Sequence, residues 1–216
     1  MDVWQQQVFD SSSILEGQML LRGLQKRWGR SVLKREAPAA RMRQGKRLDG
    51  RHSVLFLAPA HNASLRKELK DLLEGIEGHP DLGVWSVVVD TGLTRKAHAK
   101  SRAQRIRSLE SGMAPPPDFP QHSSVHLFWR DEVGRNGLPK GTPDWMNKAD
   151  VLVLLGRSGD NLVLSSLLKR STVSFKVGPT ETDCEDLDFM LAWPKDEDMS
   201  SFVQLALHYL KTLDLK

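Results

Sequence analysis

Apolar residues along this chain fall into two alternating patterns. Short unbroken runs predict strands buried on both faces: Ser53–Ala58, Val84–Val89, Val125–Trp129, Val151–Leu155, Val173–Val177 (closed by Gly178-Pro179) and Leu187–Trp193. Between them the period changes to that of a helix. Leu65, Leu69, Leu72, Leu73 and Ile76 share one face, with Arg66, Lys67, Lys70 and Glu74 opposite. This helix is expected to be capped by Asn62 or Ser64 and ended by Gly78 to Pro80. Asn161–Arg170 and Met199–Leu213 read as further helices, the last with Phe202, Leu205, Ala206, Tyr209 and Leu213 inward. Strands alternating with helices predict an α/β fold: three layers around a mostly parallel, doubly wound sheet.

Two stretches break the pattern. Ile14–Glu36 is helical by spacing, with Ile14, Leu21, Trp28 and Leu20, Leu24 on an apolar stripe. Ser11, Ser12 or Ser13 with Glu16 supplies its start, and Pro38 its end. Arg22, Lys26, Arg30 and Lys34 form a row of like charges four residues apart, a mildly repulsive arrangement. Arg95–Arg107 carries Arg95, Lys96, Lys100, Arg102, Arg105 and Arg107 without an acid. Ala97, Ala99, Ala103 and Ile106 are too weak a stripe to dock it firmly, so a solvated helix or arm is expected. Met113–Pro120 is a Pro-rich extended loop. Asp131–Pro143 is Gly/Pro-punctuated loop, followed by a helical turn at Asp144–Lys148. The organisation expected is a basic N-terminal helix and linker over 1–52, then an α/β domain over 53–216 with a basic, Pro-rich insertion at 95–120.

Composition narrows the class. The 216 residues carry a net charge of +4, unevenly spread. The first 53 hold 11 Lys/Arg against 5 Asp/Glu, and residues 149–216 hold 7 against 11. A basic front suggests a polyanion partner; the bland reading is that it folds onto the acidic back. A single cysteine, Cys184, forms no internal disulfide or cysteine metal centre, and a cytoplasmic location is expected. Met1–Ser13 lacks the pattern of a secretory leader, and no run approaches the roughly 18 apolar residues of a membrane span.

Certain segments carry a resemblance. Ala149-Asp-Val-Leu-Val-Leu-Leu155, Leu164-Ser-Ser-Leu-Leu168, Phe175-Lys-Val-Gly178, Leu187-Asp-Phe-Met190 and Phe202–Leu210 resemble the second half of a small uncharacterised bacterial family of Bacteroidota type. Gly137-Leu-Pro-Lys140 ahead of Trp145 is similar to that family's Gly/Pro/Lys stretch. The resemblance covers roughly the last 90 residues and, weakly, Ser53–Ala58. It implies an α/β fold preceded by a basic helix, and it carries no activity or catalytic residue. Arg95–Pro120 departs from it.

Candidate chemistry is sparse. Pro59-Ala-His-Asn-Ala-Ser64 is not a glycine-rich phosphate loop, so no cofactor is expected. Gly156-Arg-Ser-Gly-Asp-Asn161 could hold an anion at a helix start with help from Arg157, but Asp160 is expected to act there as the N-cap. In open α/β sheets ligands lie beyond the strands' carboxyl ends, which here offer His61, Asp90, Gly156 and Asn161, with Arg130 and Asp131 nearby. His61 and Asp90 could pair as a general base and its orienting carboxylate. Cys184 sits among acids and is a poor nucleophile; His208 reads as an ordinary, partly packed histidine; no metal-ligand spacing occurs. The strongest signal is charge. Arg22, Lys26, Arg27, Arg30, Lys34, Arg35, Arg41, Arg43, Lys46 and Arg47, with Arg95, Lys96, Lys100, Arg102 and Arg105, suit phosphate contacts with RNA or a ribonucleoprotein. The competing readings are a small-molecule enzyme at the strand ends and a membrane-surface adaptor held by the first helix. That helix's apolar face could also take a protein partner.

Overall fold

The structure, a computed structural model, describes residues 23–40, 52–110, 118–156, 161–182 and 186–212. Six strands form one sheet: β1 (Ser53–Pro59), β2 (Val84–Asp90), β3 (Val125–Phe128), β4 (Val151–Leu154), β5 (Phe175–Pro179) and β6 (Phe189–Leu191). Their order is β3-β2-β1-β4-β5-β6, and every neighbouring pair is parallel. The helices are α1 (residues 23–35), α2 (Ala63–Ile76), α3 (Arg95–Glu110), α4 (Leu162–Arg170) and α5 (Met199–Thr212).

The central strand explains the layering. Val54, Phe56 and Ala58 of β1 point into a core with Leu69, Leu72, Phe202 and Ala206 of α2 and α5. Leu55 and Leu57 point the other way, against Val163, Leu164 and Leu167 of α4. A strand with both faces covered must be apolar throughout, which is why Ser53–Ala58 shows no alternation. The fold is thus the α/β sheet expected from the sequence.

Four expectations change in detail. On α5 the inward residues are Met199, Phe202, Val203, Ala206, Leu207 and Leu210; Tyr209 is outward and 42% exposed. The seam against α2 selects that face, while Tyr209 meets Phe189 of β6 at a ring distance of 6.0 Å. Gly178 and Pro179 extend β5 rather than end it, pairing with Met190 and Leu191. The β4 ladder stops at Val177, so the proline costs no hydrogen bond on that side. A β-carbon at Gly178 would lie 2.9 Å from Leu187 Cδ1, which is why glycine stands there.

The third change is in α1. Its stripe of Leu24 and Trp28 does not pack: they are 61% and 55% exposed. The helix instead turns Gly29 to the domain, where an added β-carbon would lie 2.3 Å from the carbonyl oxygen of Asn136. Polar contacts hold it there. Glu36 takes Nε and Nη2 of Arg170 at 3.1 and 2.5 Å. Lys169 Nζ donates to the Leu33 carbonyl at 2.8 Å, and Gln25 Nε2 to the Arg135 carbonyl at 3.1 Å. So α1 is clamped by cations of α4 on its own acid and carbonyl.

The fourth concerns the start of α4. The N-cap is Asn161, whose Oδ1 accepts from the Leu164 N–H at 3.1 Å. The cap assigned to Asp160, together with Arg157, Cys184, the Ser11–Ser13 helix start, and Arg22, Arg41, Arg43, Lys46 and Arg47, lies outside the described residues. Among the described residues no helix is long and apolar enough to cross a membrane.

Candidate functional site

The strand order reverses between β1 and β4. The chain leaves β1 for α2 on one face and leaves β4 for α4 on the other, so the two connections diverge above the sheet's carboxyl edge. Crevices at such switch points are where ligands bind in open α/β sheets. Here the divergence opens two adjoining cavities that share His61 and Asn161.

The first cavity, about 290 Å³, is lined by His61, Asp90, Gly92 and Asn161 from the strand ends, Lys26 of α1 and Arg130 beyond β3. Asp90 is 8% exposed, and both its oxygens are engaged. Oδ1 accepts the Gly92 N–H at 3.1 Å, and Oδ2 accepts Nδ2 of Asn161 at 2.9 Å. Asn161 therefore caps α4 with its oxygen and anchors Asp90 with its nitrogen. Gly92 has φ +65°, a conformation that favours glycine, and a β-carbon there would lie 2.6 Å from His61 Cβ. The walls bring two cations, Lys26 and Arg130, both exposed, against the single carboxylate of Asp90. The first turn of α4 adds backbone N–H groups at its positive end.

The second cavity, about 420 Å³, has a different character. Leu65, Leu155, Trp193 and Met199 give it apolar walls, and Gly156 lies in its lining. Glu68, Asp196, Glu197 and Asp198, against Lys195 alone, leave its rim net acidic. Asp198 accepts the Ser201 N–H at 2.8 Å, and that backbone bond at the start of α5 holds its carboxyl below its usual value.

The structure thus brings together all four strand-end candidates, His61, Asp90, Gly156 and Asn161. It does not join His61 and Asp90 as a base and its orienting carboxylate. Asp90 is turned to Gly92 and Asn161, and no hydrogen bond joins it to His61. The parallel register places Pro59 opposite Asp90, so His61 lies two residues past that rung, in the loop above it. Lys26, expected on a polyanion surface, lines the first cavity together with Gln25 and Gly137, because α1 packs along α4 and beside the loop that carries Gly137. No local pattern marks that packing. Among the described residues no group of three metal-ligating side chains occurs.

The other candidates remain dispersed. Lys26, Arg27, Arg30, Lys34 and Arg35 are exposed on α1. Arg95, Lys96, Lys100 and Arg102 are exposed on α3, a helix with no buried residue, as its weak apolar stripe predicts. Arg95 meets Glu132 at 2.5 Å, and Arg105 faces Asp118 at 3.6 Å. His208 is exposed on α5.

Residues 116–213 match a protein family described as a family of unknown function (DUF6913). The matched span supplies β3 at one edge and β4 to β6 on the other side, while β1 and β2, which join them, precede it. No curated protein and no solved structure matches the chain.

Proposed function

We propose that the protein binds a small, phosphate-bearing molecule in the crevice between β1 and β4. The carrying observation is that one cavity at the switch point gathers Lys26, Arg130 and the start of α4 around the Asp90–Asn161 pair. The anionic end would lie there. The less charged remainder would lie in the adjoining cavity, on Leu65, Leu155 and Trp193. The acidic rim of that cavity favours hydroxyl or amine donors, so a sugar phosphate or a mononucleotide fits both halves. The β1–α2 turn lacks the glycines that let a backbone approach a pyrophosphate, which disfavours a dinucleotide.

The test is thermal stabilisation by a panel of sugar phosphates and nucleoside monophosphates at constant ionic strength. A ligand that binds only the folded chain raises its melting temperature with concentration. Lys26→Gln with Arg130→Gln should weaken the response at least about tenfold, since the ligand then has two fewer charge-assisted hydrogen bonds. If no anionic compound stabilises the protein beyond the chloride control, the proposal fails.

A second reading is docking on a phosphate-rich polymer such as RNA. It is favoured by the exposed cations of α1 and α3, and by the clamp that Arg170 and Lys169 place on α1. An anionic membrane surface would use the same cations, with the exposed Leu24 and Trp28 beside them.

A further inference from the structure

Near β2, residues of α2 and α3 line a small polar depression of about 30 Å³. Arg66 comes from α2, and His98, Arg102 and Arg105 from α3. Asp118 and Phe119 close the floor. We propose that this depression is a binding site for a single phosphate monoester group, or inorganic phosphate, held by Arg66, Arg102 and Arg105.

Three observations carry it. First, the Nε of Arg66 and the Nη1 of Arg105 are buried and meet no hydrogen-bond acceptor among the described residues. Asp118 lies 3.6 Å from Arg105, an ion-pair distance and too long for a hydrogen bond. Buried guanidinium N–H groups without acceptors are costly, and an oxyanion supplies several acceptors at once.

Second, the charge does not balance internally. Three guanidinium groups face one carboxylate, a surplus of two that matches a phosphate monoester near neutral pH and exceeds the single charge of a diester. Residues 111–117, which lead into Asp118, contain no acid that could make up the difference. Asp118 is itself committed. Burial raises its affinity for a proton, but the hydrogen bonds from His98 (3.1 Å) and the Phe119 N–H, with the charge of Arg105, outweigh this and hold its pKa below the ordinary value.

Third, the groups are held in place and the space is the right size. The Arg66 guanidinium lies 5.4 Å from the centre of the Phe119 ring, and the His98 ring is wedged 5.4 Å from Phe119 and 5.0 Å from Trp129. A single water needs roughly 10–15 Å³, so the depression takes one tetrahedral oxyanion and not a nucleoside. Because α3 has no fully buried residue, an ion bridging Arg66 to Arg102 and Arg105 would also fix that helix to α2.

The experiment is a titration of the full chain with sodium phosphate against sodium chloride at equal ionic strength, followed by amide NMR shifts in α3 and by thermal melts. Saturable shifts around Ser101 to Arg105, with phosphate alone, are expected. Arg66→Gln and Arg105→Gln should each weaken binding at least about tenfold, and Lys34→Gln, on α1, should leave it unchanged. Should either arginine variant fold poorly, Ser101→Glu retains every arginine and offers them a carboxylate from the pocket wall. It should abolish the phosphate response without lowering the melting temperature. Equal responses to phosphate and chloride, unchanged binding in Arg105→Gln, or a full response in Ser101→Glu would each overturn the proposal. An oligonucleotide lacking terminal phosphates, which offers only diesters, should not compete; competition would refute the monoester assignment. The crevice is distinguished by Lys26→Gln with Arg130→Gln. That variant should keep the α3 response, and its loss would move the ion to the crevice and end the present proposal.

Discussion

His126 shows how burial alone can tune a single group. It lies on β3 with its ring stacked 4.0 Å from that of Trp145, and burial pushes its pKa below the ordinary 6.5. The unfolded chain therefore takes up a proton at a higher pH than the folded chain does. Stability should be full above about pH 6.5 and decline as pH falls from there toward the folded pKa, because the unfolded state then binds more protons. His126→Phe should remove this component of the pH dependence, read as the difference in urea midpoint between about pH 7.5 and about pH 5.5. An unchanged difference would show that His126 does not contribute to the pH dependence of stability. Asn161 teaches a related lesson. Its side chain was legible in the sequence as part of a helix start, but its second bond, to Asp90, joins residues 71 apart. Nothing local encodes that bond.

At the scale of elements, α1 is the instructive case. Helix propensity argues that alanine at Gly29 should stabilise it by up to about 1 kcal/mol. Packing argues the reverse, since the new β-carbon would lie 2.3 Å from a backbone oxygen and 2.9 Å from Leu162 Cδ1. A backbone oxygen cannot rotate away as a side chain can, so packing should win by about 1–3 kcal/mol. Gly29→Ala should lower the urea midpoint and speed proteolysis within α1; a raised midpoint would mean that the helix stands off the 134–138 loop. The helical period of this segment was legible in the sequence, but the docking face was not. An apolar stripe is informative only when hydrophobic burial is what fixes a helix. Here ion pairs and a close backbone approach fix it, leaving Leu24 and Trp28 outside. In α3 a stripe of alanines predicts weak docking, and the helix has no fully buried residue.

For the whole molecule, the charge layout matters more than any pair. The exposed cations of α1 and α3 give it a basic surface, and polyanion binding through such a surface falls steeply with salt. If RNA is a partner, retention on a single-stranded oligonucleotide should weaken linearly on logarithmic axes. Combining Arg27→Gln, Lys34→Gln and Arg35→Gln should reduce the slope by roughly 0.7 for each phosphate that is no longer neutralised. A slope identical to that of the parent chain would exclude α1 as the contact. The alternation of apolar runs with amphipathic helices was sufficient for the sequence alone to determine an α/β sheet with both faces covered, because periodicity is a local property and burial on two sides leaves no polar position in a central strand. Strand order is another matter. Any permutation of six such strands has the same periodicity, and only the packing of α2 and α5 against one face and α4 against the other selects the order that separates the paths after β1 and β4. That choice brings His61 and Asn161 to one crevice and sets Lys26 over it, while the approach of α3 to α2 sets Arg66 and Arg105 around one depression. Both clusters therefore belong to the tertiary structure, since each joins residues whose proximity comes from contacts between elements and not from their spacing along the chain.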